Sequence, residues 1–418
     1  MASVSFAGFS NNLIPGKLKS GASREFHKRP RVRPIRAASR LSAAAKTTIP
    51  PLTAQKNASP WLMLPPVFEG GPNSGPPMSY KLYSLSEDRV LSVGAKDGDR
   101  MDVVGSSHGW LALLDPNTRD LFLYNPISGR HINLPQIHFP RTGSRRFRVN
   151  QTHVDRLILS CSPDEDEQNC RAIIIYGWLN SMAFCCPGSS QEWTRIHPLD
   201  DDVAGFQYRN CVYSTEHNLL FALTWSYDLI SCDLTDPLSP KVSKIAHKFV
   251  DNRRMDFPVN LTCEPVEHLV AAGQDLLLVT QYVLQSVGPD GLYIDSNDDP
   301  TGSIYEQGLP DLTVDFDVDR YDPASGDFKR VEDLSLGGWS LFVGRCSNAV
   351  ALQPADECSV KPGSIYFTDV FGDLNCGRDI GVFNYEKKMV SPCNYPFDYA
   401  HSFEKILRAP MWFFPTPT

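Results

Sequence analysis

The sequence predicts an all-β protein, a single β-propeller of six or seven four-stranded antiparallel blades preceded by a disordered leader. Three observations predict it. The apolar runs are short, as in Trp110 to Leu114 and Leu121 to Tyr124, and Asn, Pro and Gly break them. Runs of that length with those breakers are strand and hairpin signals, too short for helices. Second, a turn motif recurs: Tyr124-Asn125-Pro126-Ile127-Ser128-Gly129 returns as Tyr321-Asp322-Pro323-Ala324-Ser325-Gly326. Third, 33 Pro and 28 Gly in 418 residues suit a turn-rich fold with a large core.

Weaker copies of strand, polar turn and returning strand occupy Tyr80 to Val93, Ala183 to Ile196, Leu229 to Ile245 and Ile380 to Cys393. The copies begin their turns at Ser84, Asn125, Cys186, Asp233, Asp322 and Asn384, in steps of 41, 61, 47, 89 and 62 residues. A period of roughly 40–50 residues built from short strands is the propeller signature, each blade burying its faces against its neighbours. The step of 89 has room for one degenerate copy, placed at Leu276 to Val283.

Three segments divide the chain. Residues 1–46 are rich in Ser, Ala and Arg, with ten basic residues against one acid, Glu25, through position 50. That is the composition of an organellar transit peptide. The uncharged first sixteen residues and Ile35-Arg36-Ala37-Ala38, which resembles a stromal processing site, point to the chloroplast, with the mitochondrion as the alternative. Residues 47–59 are a Pro-, Thr- and Ala-rich linker, and 60–418 form the propeller domain. The domain opens on Pro60-Trp61-Leu62-Met63-Leu64-Pro65-Pro66 and ends near Met411-Trp412-Phe413-Phe414-Pro415, a closing strand that mirrors the opening one.

The whole chain carries −8, and the first 50 residues +9, so the remainder carries −17. An acidic body lacks the basic footprint of general nucleic-acid binding. No apolar run approaches the ~18 residues of a membrane span. Eleven cysteines without a CxxC pair read as buried thiols rather than a disulfide framework or a zinc site, which leaves the sequons at Asn57, Asn150 and Asn260 incidental.

No residue earns a catalytic, cofactor or metal role. Gly105-Ser106-Ser107-His108-Gly109 matches G-x-S-x-G, but a nucleophile elbow needs a helix after the serine, and Trp110 to Leu114 is strand-like. The segment reads instead as a Gly-flanked turn entering a blade, its small residues near the axis. Asp315, Asp317, Asp319 and Asp322 resemble a calcium loop, but the EF-hand glycine and glutamate positions hold Arg320 and Gly326. The histidines form no HExxH or HxH pattern. Arg141 to Arg148 is a basic patch, and Asp164 to Glu167 and Asp295 to Asp299 are acidic loops. Arg145, Arg146 and Arg148 are the loop residues favoured for partner contact.

Over residues 60–418 the chain resembles the plant family known as domain of unknown function 295, a relative of F-box-associated propellers. The resemblance rests on PWLMLPP (60–66), GSSHGWL (105–111), YNPISG (124–129), SLFVG (340–344), IYFTD (365–369) and DIGVF (379–383). It implies a propeller and no activity or cofactor. Family members with an F-box ahead of the propeller are expected to present substrates to a ubiquitin ligase. Here a leader and linker precede Trp61, which points to an organellar branch without the F-box. The expected function is therefore a non-enzymatic scaffold for an unidentified protein partner. An enzyme, a hydrolase or lyase with its site in the central channel, and a ubiquitin-ligase adaptor are the alternatives. Converging His, Asp, Glu or Arg side chains in the channel favour the enzyme, and a small, apolar lining favours the scaffold.

Overall fold

A computed structural model of the chain describes residues 59–68, 78–94, 101–137, 154–177, 179–196, 207–247, 263–284, 311–345, 347–353, 360–370, 379–393 and 411–415. These residues form six sheets. The first contains β1 (Trp61–Phe68), β2 (Met78–Ser84) and β3 (Arg89–Gly94). The second is β4 (Asp102–Ser107), β5 (Trp110–Leu114), β6 (Leu121–Tyr124) and β7 (His131–Asn133). The third is β8 (Val154–Leu159), β9 (Ala172–Tyr176), β10 (Ser181–Cys185) and β11 (Thr194–Arg195). The fourth is β12 (Tyr208–Ser214), β13 (Leu219–Thr224), β14 (Asp228–Asp233) and β15 (Lys241–His247). The fifth is β16 (Cys263–Ala272), β17 (Asp275–Leu284), β18 (Leu312–Asp322) and β19 (Asp327–Arg330). The sixth holds β20 (Ser340–Val343), β21 (Val350–Leu352), β22 (Ser364–Phe367), β23 (Gly381–Asn384) and β24 (Met389–Pro392). Finally β25 (Met411–Phe413) returns to the first sheet and pairs with β1, Trp61 opposite Phe413 and Met63 opposite Met411. The ring is closed by its two ends.

Each repeat copy in the sequence is the outer hairpin of one blade. The six turns starting at Ser84, Asn125, Cys186, Asp233, Asp322 and Asn384 follow β2, β6, β10, β14, β18 and β23. Their chemistry explains the motif. Asn125 Oδ1 accepts the backbone N–H groups of Ile127 (2.9 Å) and Ser128 (3.1 Å), and Gly129 closes the turn at φ +71°. Asp322 Oδ1 does the same for Ala324 (3.0 Å), with Gly326 at φ +68°. An Asx acceptor followed by a residue in the left-handed region is a self-capping turn.

The blade number is six, and the degenerate copy expected at Leu276 to Val283 is a correction. That stretch lies inside β17, one continuous ten-residue strand paired with β16 and β18. Blade five is longer, with strands of ten, ten and eleven residues, and the step of 89 also contains the connections 248–262 and 285–311. Blade six departs from the four-stranded antiparallel plan: β20 pairs in parallel with β22, and β21 adds a fifth strand at the inner edge.

The core sits between blades, as expected for sheets that bury both faces only against neighbours. Trp110, Leu123 and Ile174 fill the space between blades two and three, and Ile158, Phe184 and Leu220 that between three and four. Val212, Leu229 and Leu278 follow, then Phe316 with Phe367 and Phe383 at ring separations of 5.4 and 5.1 Å. Leu62, Phe342 and Trp412 join blade six to blade one.

Candidate functional site

The inner strands of the blades are tied together by the chain itself. The link between β20 and β21 begins in blade six yet bonds the inner strands of blades two and three. Arg345 accepts a hydrogen bond on its carbonyl from Arg156 (2.6 Å), and its guanidinium lies 3.7 Å from Asp155. Ser347 bridges Ser106 in parallel, and Asn348 N–H donates to the Ser106 carbonyl at 3.0 Å. β21 then lies beside β16 of blade five. A segment held at both places reaches across the ring.

Around it the inner strands contribute polar pairs: Asp155-Arg156 from β8, Arg209-Asn210 from β12 and Glu267-His268 from β16. Arg156, 5% exposed, donates to Asn210 Oδ1 (3.3 Å), and Asn210 Nδ2 donates to the Glu267 carbonyl (3.1 Å). Arg209 pairs with the Glu267 carboxylate at 2.9 Å. The lining is therefore the polar one, not the small and apolar one. Its ionisable groups, however, hold one another and the β20–β21 link.

A hydrogen-bonded relay runs outward from this network. His268 Nε2 meets Gln281 Oε1 (3.0 Å), Gln281 Nε2 donates to Thr313 Oγ1 (2.7 Å), and the Thr313 hydroxyl and N–H both donate to the Asp379 carboxylate. The amide of Gln281 sets the direction: its oxygen must accept, so His268 carries its proton on Nε2. Burial, reinforced by the fields of Arg156 and Arg209, pushes His268 down to about 3, so it is neutral. Burial pushes Asp379 up to about 7, with Asp369 and Asp311 adding to the rise. His268 is buried and neutral, bonds Gln281 through Nε2, and keeps a buried Nδ1 without a hydrogen-bond partner.

At the start of the inner strand of blade four, beside a turn of blade three, lies an exposed aromatic platform. The Arg209 guanidinium sits 4.9 Å from the Trp225 ring centre and 5.5 Å from that of Tyr227, and donates to Tyr227 Oη at 2.9 Å. Trp225 is 50% exposed and Leu179, in the neighbouring blade's β9–β10 turn, 46%. Backbone bonds of 2.9 Å from Trp225 to Gln207 and from Tyr208 to Asn180 knit the two turns together.

The sequence-nominated residues fall elsewhere. Ser107 is buried at the end of β4, and its Oγ accepts the Leu159 N–H (3.1 Å); β5 follows, not a helix. The turn is only His108-Gly109, at φ +49° and +76°, with Gly105 to Ser107 inside the strand. Burial pushes His108 down to about 4. Three of the four β18 aspartates are answered by protein cations: Arg330 pairs with Asp317, Lys388 lies 3.7 Å from Asp315, and Lys329 pairs with Asp322. Asp164 takes Arg130 (2.8 Å) and Asn125 (3.0 Å) from blade two. Arg141 to Arg148, Asp295 to Asp299 and residues 1–58 lie outside the described residues. Sequence reasoning missed Arg156, His268, Asp379 and Trp225. The signal for the first two was the charged or amide pair that recurs in three successive inner strands.

Fold and site together define a closed six-bladed β-propeller whose β20–β21 link bonds across to the inner strands of blades two and three. Among the described residues no helix is long and apolar enough to cross a membrane. The chain belongs to the KIB1-4 beta-propeller family, whose model matches residues 82–384. It is 28% identical over 160 residues to an F-box/kelch-repeat protein of Arabidopsis thaliana, a match covering 37% of this chain. The chain spans 38% of that relative's length. Among solved structures, a chain of a nidogen/laminin complex aligns over 85% of this chain and 99% of its own, with 8% identity and a TM-score of 0.38. YjhT aligns over 69% and 81%, with 10% identity and a TM-score of 0.32.

Proposed function

We propose that this chain is a non-enzymatic protein-interaction propeller that works inside a plant organelle, the chloroplast. The observation that carries the reading lies at the inner strands. The β20–β21 link bonds across the ring to the inner strands of blades two and three, where Arg156 holds the link and Asn210 while Arg209 holds Glu267. The Leu179–Trp225–Tyr227 platform supports the second half: an exposed Trp beside a stacked Arg has the composition of an interface anchor. The leader's basic, Ser- and Ala-rich composition supports the compartment.

The test imports the full chain into isolated chloroplasts and captures the mature body, in parallel with a Leu179→Ser, Trp225→Ser double variant. A partner retained by the wild type and bound about 30-fold more weakly by the double variant is expected, the loss of a ~2 kcal/mol anchor. Retention in the cytosol with capture of ubiquitin-ligase subunits refutes both compartment and role, and favours the adaptor that the relative's name brings to mind.

A further inference from the structure

Blade three holds two cysteines in register. β8 and β9 are antiparallel, with Leu159 opposite Ala172. One step beyond, the Ser160 N–H donates to the Arg171 carbonyl at 2.9 Å, while the Arg171 N–H turns to Ser160 Oγ at 2.8 Å. The same register, carried just past the end of the ladder, sets Cys161 opposite Cys170. Opposed residues of an antiparallel pair have Cα atoms about 4.5–5.5 Å apart, inside the window for a disulfide, about 4.4–6.8 Å. The thiols confirm the approach: Cys170 Sγ lies 3.2 Å from the Cys161 carbonyl oxygen and also hydrogen-bonds the Cys161 sulfur. Both thiols are free.

We propose that Cys161 and Cys170 are a reversible dithiol–disulfide site, oxidised by small disulfides such as oxidised glutathione and reduced by dithiols. Their roles are unequal. Cys161 is only half-buried, and the thiol of Cys170 donating to it holds it below the ordinary cysteine range. Cys170 is buried, and its hydrogen bond with the Cys161 thiol, together with burial, raises it. Cys161 is thus the attacking thiolate and Cys170 the resolving thiol. The Cys161 thiolate attacks one sulfur of the oxidant, forming a mixed disulfide and expelling one thiolate, which is protonated from solvent. Cys170 then attacks Cys161 Sγ, forms the internal S–S bond and expels the second thiolate, which takes the Cys170 proton. Two protein thiols lose two electrons, and one small disulfide becomes two thiols.

The bond closes the Ser162 to Asn169 loop at its neck. That loop carries Ser162, within 3.4 Å of Trp110 Nε1, and Asp164 and Glu167, which hold Arg130. The staple therefore fixes the seam between blades two and three on the face where the Asn125 turn lies.

The test equilibrates the reduced full-length chain with mixtures of reduced and oxidised glutathione, quenches in acid, alkylates in denaturant and maps the peptides by mass spectrometry. Cys161 and Cys170 are expected to leave the alkylatable pool together, with a linked 161–170 peptide that dithiothreitol abolishes. Cys185, buried in the blade face, stays alkylatable. In Cys170→Ser, Cys161 should stop as the glutathione adduct; in Cys161→Ser, Cys170 should remain fully alkylatable. A wild-type chain in which Cys161 stops at the adduct, pairs with a different cysteine, or never reacts overturns the proposal.

Discussion

Gly105 is the residue on which the inner strands of blades two and three close, and its replacement by alanine measures how tightly. A Cβ built there falls 2.1 Å from the Leu157 carbonyl oxygen and 3.0 Å from its carbon. Those are backbone atoms of β8 and cannot rotate away. Restoring an ordinary contact parts β4 from β8 by more than about 1 Å, against the 3.1 Å bond from Leu159 N–H to Ser107 Oγ. Overpacking typically costs about 1–3 kcal/mol, and a clash with backbone belongs at the upper end. At roughly 2 °C per kcal/mol for a body of this size, the melting temperature should fall by about 6 °C. Gly129→Ala is the control. It meets nothing within 4 Å and carries only the strain of φ +71°, so about 1 kcal/mol and ~2 °C are expected. Thermal melts followed by near-ultraviolet circular dichroism read both. A Gly105→Ala chain melting within about 1 °C of wild type refutes the close approach and returns G-x-S-x-G to the list of unexplained motifs.

The relay gives a pH signature with two opposed parts. His268 binds its proton near 3 in the fold and near 6.5 unfolded, so its contribution is present above pH 6.5 and is lost as pH falls towards 3. Asp379 titrates near 7 in the fold against 3.8 unfolded, so the fold takes up the extra proton and stability declines as pH rises from 4 to 7. Wild type should therefore be nearly flat between pH 4 and 6.5, whereas Asp379→Asn should lose stability steeply on acidification and His268→Gln should lose it on alkalinisation; equal slopes for all three chains disprove the assignment. Trp412→Ala removes a fully buried indole that donates to the Val343 carbonyl at 3.1 Å. It should cost about 3–5 kcal/mol by denaturant titration. Trp225→Ala, at a half-exposed turn position, should change stability by no more than about 0.5 kcal/mol, and a larger loss would move Trp225 from the interface to the core.

What the sequence displayed was what is local. The Asx-to-Gly turns of Asn125 and Asp322 form within six residues, so the six outer hairpins were legible, as were the edges of β5 and β6. The long blade five was misread because Leu276 to Val283 is apolar enough for a hairpin but lacks the polar break that would make one. The cross-ring link was not legible, because Arg345 meets Arg156 across 189 positions of chain. The His268–Gln281–Thr313–Asp379 relay draws on β16, β17, β18 and the approach to β23, and no spacing rule joins four strands. Gly105 displayed a glycine but not its reason, which is the backbone of another blade.

The pairing of β25 with β1 has a consequence during synthesis. β1 emerges early, but the strand that covers its inner edge lies at Met411 to Phe413. At roughly 5–20 residues per second, translation of the intervening chain takes on the order of half a minute. Throughout that interval the apolar Trp61-Leu62-Met63-Leu64 edge presents unpaired backbone groups, a template for any other nascent strand. The first sheet to be made is thus the last to be finished, and a chaperone that shields Trp61 to Leu64 would govern the yield of the closed ring.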